Sequence, residues 1–126
     1  MKHDESKIQI SCVLWWRKQY GRKYPFGLFA IPNGAMLSGD AEARARKGAL
    51  LKKEGLEAGV ADLFLSVPSG DLSGLWMECK TKTGRQQDSQ KDFESAMLSR
   101  GYGYAIFRSL DEFQQIIKSY LADGTY

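Results

Sequence analysis

The chain has 126 residues with one histidine and two cysteines; 43% of its side chains are hydrophobic, 12% aromatic and 26% charged, and its net charge is +3. That length describes one globular domain, which buries about two-thirds of its unfolded surface without help from disulfides or metals. A lone His3 argues against a Ser-His-Asp triad or a zinc site needing two imidazoles, which leaves carboxylates, lysine or an oxygen-ligated metal for any chemistry.

Cys12 and Cys79 are too few for a zinc cage and read as buried free thiols of a reducing compartment. The opening MKHDESKIQIS has no apolar signal segment, and no run approaches the ~18 apolar residues of a membrane span. A soluble, cytoplasmic protein is the expectation.

Asp4 is placed to cap a first helix, in which Ile8, Cys12, Trp15 and Gln19 recur at helical spacing until Gly21 and Pro25 stop it. Trp15 and Trp16 project about 100° apart, so either one is left for a partner surface or the helix buries a broad face. Leu28 to Ile31 reads as a short strand entering the Pro32-Asn33-Gly34 turn. Ser38 or Asp40 then caps a run of helix formers that ends at Gly55.

Two apolar runs follow, Val60 to Val67 and Leu75 to Thr81, joined through residues 68–74. They are expected to be paired strands of a sheet buried on both faces. Asp88 or Ser89 caps a third helix that reaches Arg100 and is closed by Gly101; Tyr102 to Phe107 is a fourth strand and Asp111 to Leu121 a last amphipathic helix. The order αβαββαβα predicts an α/β fold with a mixed central sheet flanked by helices. Gly101-Tyr102-Gly103-Tyr104 lacks the third glycine of a dinucleotide loop and precedes a strand, so no nucleotide cofactor is expected.

The charge is unevenly spread. Residues 17–53 carry nine basic against two acidic side chains, whereas residues 54–126 carry seven against eleven. A basic section beside an acidic one fits a phosphate-facing surface next to a carboxylate site; a solvated helix face is the alternative.

Three charged residues interrupt the strands: Asp62, Glu78 and Lys80. Burying them is costly unless they pair or bind a cation. Glu78 and Lys80 share one strand face, and pairing of the two runs brings Asp62 beside Glu78. Two adjacent carboxylates repel, and a hard divalent cation relieves that repulsion. Such a cation keeps several waters and suits phosphodiester hydrolysis, with Lys80 placed to orient the water or stabilise the charge that develops. A structural Asp/Glu/Lys ion-pair cluster is the competing reading.

The ordered set Ile31-Pro32-Asn33-Gly34, then Glu54 to Leu63 with Asp62 near its end, then Met77-Glu78-Cys79-Lys80, then Gln90 opening a helix, then Gly101-Tyr102, resembles the PD-(D/E)XK nuclease superfamily. It is most similar to the VRR-NUC (virus-type replication-repair nuclease) branch. The similarity spans nearly the whole chain, so residues 1–126 read as a single VRR-NUC-like nuclease domain with a restriction-endonuclease-like fold. The resemblance implies that Asp62 and Glu78 ligate Mg2+ or Mn2+, joined by the Cys79 backbone carbonyl and by Glu5 from the first helix. It makes Lys80 the catalytic lysine and has Gln90 position the water or the scissile strand. The proline usual before the aspartate is Ala61 here, a change of backbone shape and not of a ligand.

Small stand-alone members of this branch are associated with branched DNA. The resemblance therefore implies a bacterial or phage-encoded intracellular endonuclease acting as a homodimer on structures such as four-way (Holliday) junctions. Asn33, Arg44, Arg46, Lys47, Lys82 and Arg85 are the expected nucleic-acid contacts. The alternative function is a catalytically silent nucleic-acid-binding module.

Overall fold

The computed structural model describes residues 2–32 and 39–126. Asn33 and Gly34 of the turn and the Ser38 capping position lie outside the described residues. The elements are α1 (Lys2–Tyr20), β1 (Leu28–Ala30), α2 (Ala41–Lys53), β2 (Leu63–Leu65), β3 (Leu75–Cys79), α3 (Asp88–Ser99), β4 (Gly103–Phe107) and α4 (Leu110–Asp123), in the expected order. The strands form one sheet in the order β1-β2-β3-β4. β1, β2 and β3 run antiparallel, while β4 runs parallel to β3. The parallel step follows from α3, which carries the chain back across the sheet between the two strands.

Strand alternation divides the sheet into two chemically different faces. Leu63 and Leu65 of β2, Leu75, Met77 and Cys79 of β3, and Phe107 of β4 are buried with Cys12 and Trp16 of α1 and Phe113, Ile117 and Tyr120 of α4. The intervening residues Phe64, Trp76, Glu78 and Tyr104 face the other way, where Phe93 of α3 meets Trp76 and Tyr104 edge-on. The inner face of β2, β3 and β4 is buried as expected, but Phe64 and Trp76 on the outer face are only half-buried. The reason is that α3 packs on β4 and leaves the β1–β2 side less covered.

Several helix ends differ from expectation. α1 begins at Lys2, so Asp4 lies with Glu5 in the first turn, where carboxylates meet the positive end of the helix dipole, and does not cap it. The buried row passes through Cys12 and Trp16, leaving Gln19 exposed. Trp16 is 2% exposed and Trp15 packs edge-on against Tyr20 and Phe113, at 5.6 and 6.1 Å between ring centres. α1 meets both β3 and α4, so two adjacent helix strips are covered within one chain and neither tryptophan is left over. Asp40 caps α2 by accepting the Ala43 N–H at 2.8 Å. α3 is capped one residue earlier than expected, by Gln87, and α4 starts at Leu110 behind a Ser109 cap.

α2 stands apart. It buries none of its residues and, among the described residues, packs broadly against no other helix or strand. Gly48 lies in its interior, and a Cβ added there would meet nothing within 4 Å. Gly48→Ala is therefore expected to stabilise the helix by about 0.5–1 kcal/mol. Hydrogen exchange checks this: amides of α2 should exchange roughly twofold to fivefold more slowly in the variant, while those of β3 and β4 are unchanged.

Candidate active site

The register that pairs Leu63 with Met77 continues to set Asp62 opposite Glu78, so both carboxylates fall on the α3 side of the sheet. Asp62 is held from two sides. Its carbonyl accepts the Ile31 N–H at 2.8 Å, and its Oδ2 accepts the Cys79 N–H at 2.8 Å. The carboxylate thus takes a β3 backbone donor at the start of β2.

Glu78 and Lys80 are almost completely buried, at 4% and 7% exposure. Lys80 Nζ lies 3.8 Å from Glu78 Oε2. The same oxygen accepts the Gln90 amide N–H at 3.0 Å, while Gln90 Oε1 accepts the Gln87 N–H at 2.8 Å. Gln90 therefore ties Glu78 to the first turn of α3 and is itself locked by the helix start. As a carboxylate, Glu78 has no hydrogen-bond donor for Oε1, although that atom is buried. Burial first, and then the facing Asp62, push the Glu78 carboxyl up to about 8; Lys80 opposes the shift.

These groups share one pocket of about 640 Å³ with Glu5, Lys52 and Glu57. Its wall is closed by Gly59, which has a φ of +88° and sits so close to α3 that an added Cβ would come within 2.3 Å of the Ser89 carbonyl oxygen. Gly59→Ala combines left-handed strain with a backbone clash and is expected to cost about 2–3 kcal/mol. A urea denaturation midpoint lowered accordingly, at unchanged slope, is the check.

The structure brings Asp62, Glu78, Lys80, Gln90 and Glu5 to this pocket. Cys79 adjoins it through its backbone; its thiol points to the core, where it donates to the Glu5 carbonyl at 3.4 Å and burial pushes it up to about 12. Arg44, Arg46 and Lys47 are exposed on α2, and Lys82 and Arg85 on the loop beyond β3; none of these five lines the pocket. Two residues carried no sequence signal. Lys52 lines the pocket although it read only as one more charge in a basic helix. Arg108 donates to the carbonyls of Thr81 and Gly84, both at 2.7 Å, and so braces the turn that follows Lys80.

The donor set fits a hard divalent cation. Two facing carboxylates are present, and one carries a buried oxygen without a donor. Among the described residues no group of three or more His, Cys, Asp or Glu side chains is placed to hold an ion, so Glu5 lines the pocket without completing a cage. Two carboxylates, with remaining positions left to water and substrate oxygens, suit Mg2+ better than a structural site.

The architecture is that of the restriction-endonuclease-like α/β folds, a mixed sheet with helices on both faces. More particularly it is the fold of a VRR-NUC domain: a solved structure described as "VRR_NUC domain protein" superposes with a TM-score of 0.76 at 21% identity, over 96% of this chain and 93% of that one. No family model matches the chain, and no curated protein matches it. Among the described residues no helix is long and apolar enough to cross a membrane.

Proposed function

We propose that this chain is a divalent-cation-dependent endodeoxyribonuclease that hydrolyses phosphodiester bonds. The observation that carries the reading is the buried Glu78, facing Asp62 and leaving one carboxylate oxygen without a donor, with the Lys80 ammonium 3.8 Å from its other oxygen. Its likeness to a VRR_NUC domain protein supports a nuclease-type domain.

Asp62 and Glu78 would hold Mg2+ or Mn2+, with the Cys79 carbonyl and Glu5 as the further candidates. When bound, such a cation activates water and offsets charge growing on the phosphate. Asp62 is anchored by the Cys79 N–H, so its orientation is set before substrate arrives. Gln90 occupies one Glu78 oxygen and keeps the other facing the task of ligation. Lys80 places a fixed positive charge beside the carboxylates, where it can orient the attacking water or stabilise the phosphorane-like transition state.

The finer reading is that the substrate is branched DNA, such as a four-way junction, cut by a homodimer. It is supported by the sequence resemblance to stand-alone members of the VRR-NUC branch, in which two symmetric sites suit paired nicks. A second reading, a silent nucleic-acid-binding module, draws on the same Lys80–Glu78 ion pair and the Asp62–Cys79 hydrogen bond as a structural cluster.

The test incubates the protein with labelled four-way junction, flap and duplex DNA in Mg2+, Mn2+ and EDTA, and repeats it with Glu78→Ala and Lys80→Ala. Cleavage in either metal, abolished by EDTA and by both substitutions, is expected, with the junction cut fastest. Cleavage that survives EDTA or both substitutions contradicts the mechanism, and binding without cleavage establishes the module.

A further inference from the structure

We propose that α2 is a cationic arm that holds the DNA backbone against the carboxylate pocket, with Lys52 engaging the phosphate at the pocket's edge. This rests on the nuclease reading above and adds where the affinity for DNA comes from.

Without a bound cation the pocket itself supplies little of that affinity. It is lined by Glu5, Glu57, Asp62 and Glu78 against Lys52 and Lys80, so an approaching phosphate meets more acidic than basic groups. The nearest concentrated positive charge is α2, which carries five basic residues and one acidic residue, Glu42. Arg46 lies 3.7 Å from Glu42, so part of that side of the helix is neutralised. At 100° per residue, Arg44, Lys47 and Lys52 fall within an arc of about 140°. Gly48 and Leu51, both half-buried, lie inside the same arc, whereas Arg44, Lys47 and Lys52 themselves are exposed. Lys52 ends that arc in the pocket wall and makes no ion pair among the described residues.

The physical need for such a helix is otherwise hard to meet. A helix of 13 residues that buries nothing gains little from packing, and length alone gives marginal stability in water. Its exposed Arg44, Lys47 and Lys52, the last in the pocket wall, match a polyanion. Duplex DNA, with a phosphate every few ångströms, is the occupant that repays a row of Arg44, Lys47 and Lys52.

The experiment measures binding of a labelled DNA duplex by fluorescence anisotropy in EDTA, where hydrolysis does not intervene, over a salt series. Wild type is compared with Arg44→Gln/Lys47→Gln and with Lys118→Gln, an exposed position on α4, as the charge control. The double variant is expected to bind about tenfold more weakly at low salt, and the slope of log affinity against log salt should shrink by about 1–2. Lys118→Gln should match wild type. In Mg2+, Lys52→Gln is expected to lower kcat/KM about tenfold mainly through KM, and Lys52→Arg to restore it. Equal affinity and equal salt slope for wild type and the double variant would overturn the proposal. If the double variant loses affinity while no preparation cleaves DNA in either metal, the arm stands and the nuclease reading fails.

Discussion

Asp62→Asn and Glu78→Gln are each expected to lower the DNA cleavage rate at saturating Mg2+ by at least about a hundredfold, with DNA affinity in EDTA retained or raised. Each substitution keeps size and shape but removes the charge that the proposed cation needs, at positions where the register sets the two side chains opposite one another. Affinity is spared because DNA is held by cationic side chains and not by these two carboxyls. The two losses should be far from additive, since removing either ligand disables the same centre; the double variant is expected to resemble the worse single one. Gln90→Ala acts through Glu78 and is expected to cost about tenfold, in keeping with a residue that orients a ligand. Single-turnover cleavage checks the series, and variants that all retain wild-type rates would refute the site.

The second large effect is on stability. Glu78 is held by burial and by Asp62 at about 8, against an ordinary value of 4.5. Because the folded value is raised, the neutral carboxyl is the form that the fold favours. Its contribution is complete below about pH 4.5 and is lost as pH rises through 8, where a charged Glu78 has to be buried next to Asp62. The cost of that ionisation is on the order of several kcal/mol, moderated by Lys80. Urea denaturation of the metal-free protein in EDTA, from pH 5 to 9, should show wild type losing stability relative to Glu78→Gln, with the variant the more stable above pH 8. Parallel curves would mean that Glu78 does not titrate as described.

Much of this architecture was readable in the residues. Two short apolar runs, Val60 to Val67 and Leu75 to Thr81, joined through residues 68–74, placed two strands side by side, and their pairing brought Asp62 beside Glu78. Charged residues inside apolar runs then marked the pocket, because burying them demands a compensating reason. What the residues did not reveal depended on contacts distant in sequence. The fate of Trp15 followed from how α1 lies against α4, as its ring contact with Phe113 records. The Gln87 cap of α3 followed from Gln90 folding back to accept the Gln87 N–H, a contact that Asp88 and Ser89 masked as better capping types. Lys52 reached the pocket because α2 stands away from the core, which no local pattern announced. Arg108 bracing Thr81 and Gly84 spans 27 and 24 residues of sequence.

The central claim is that Asp62 and Glu78 together form a divalent-cation site. Calorimetric titration of Mn2+ into the metal-free protein at pH 8, without DNA, tests it most directly. Saturable binding in wild type that is lost in both Asp62→Asn and Glu78→Gln, and kept in Lys118→Gln, is the predicted result. Absence of binding in wild type, or equal binding by wild type and the two site variants, would contradict it.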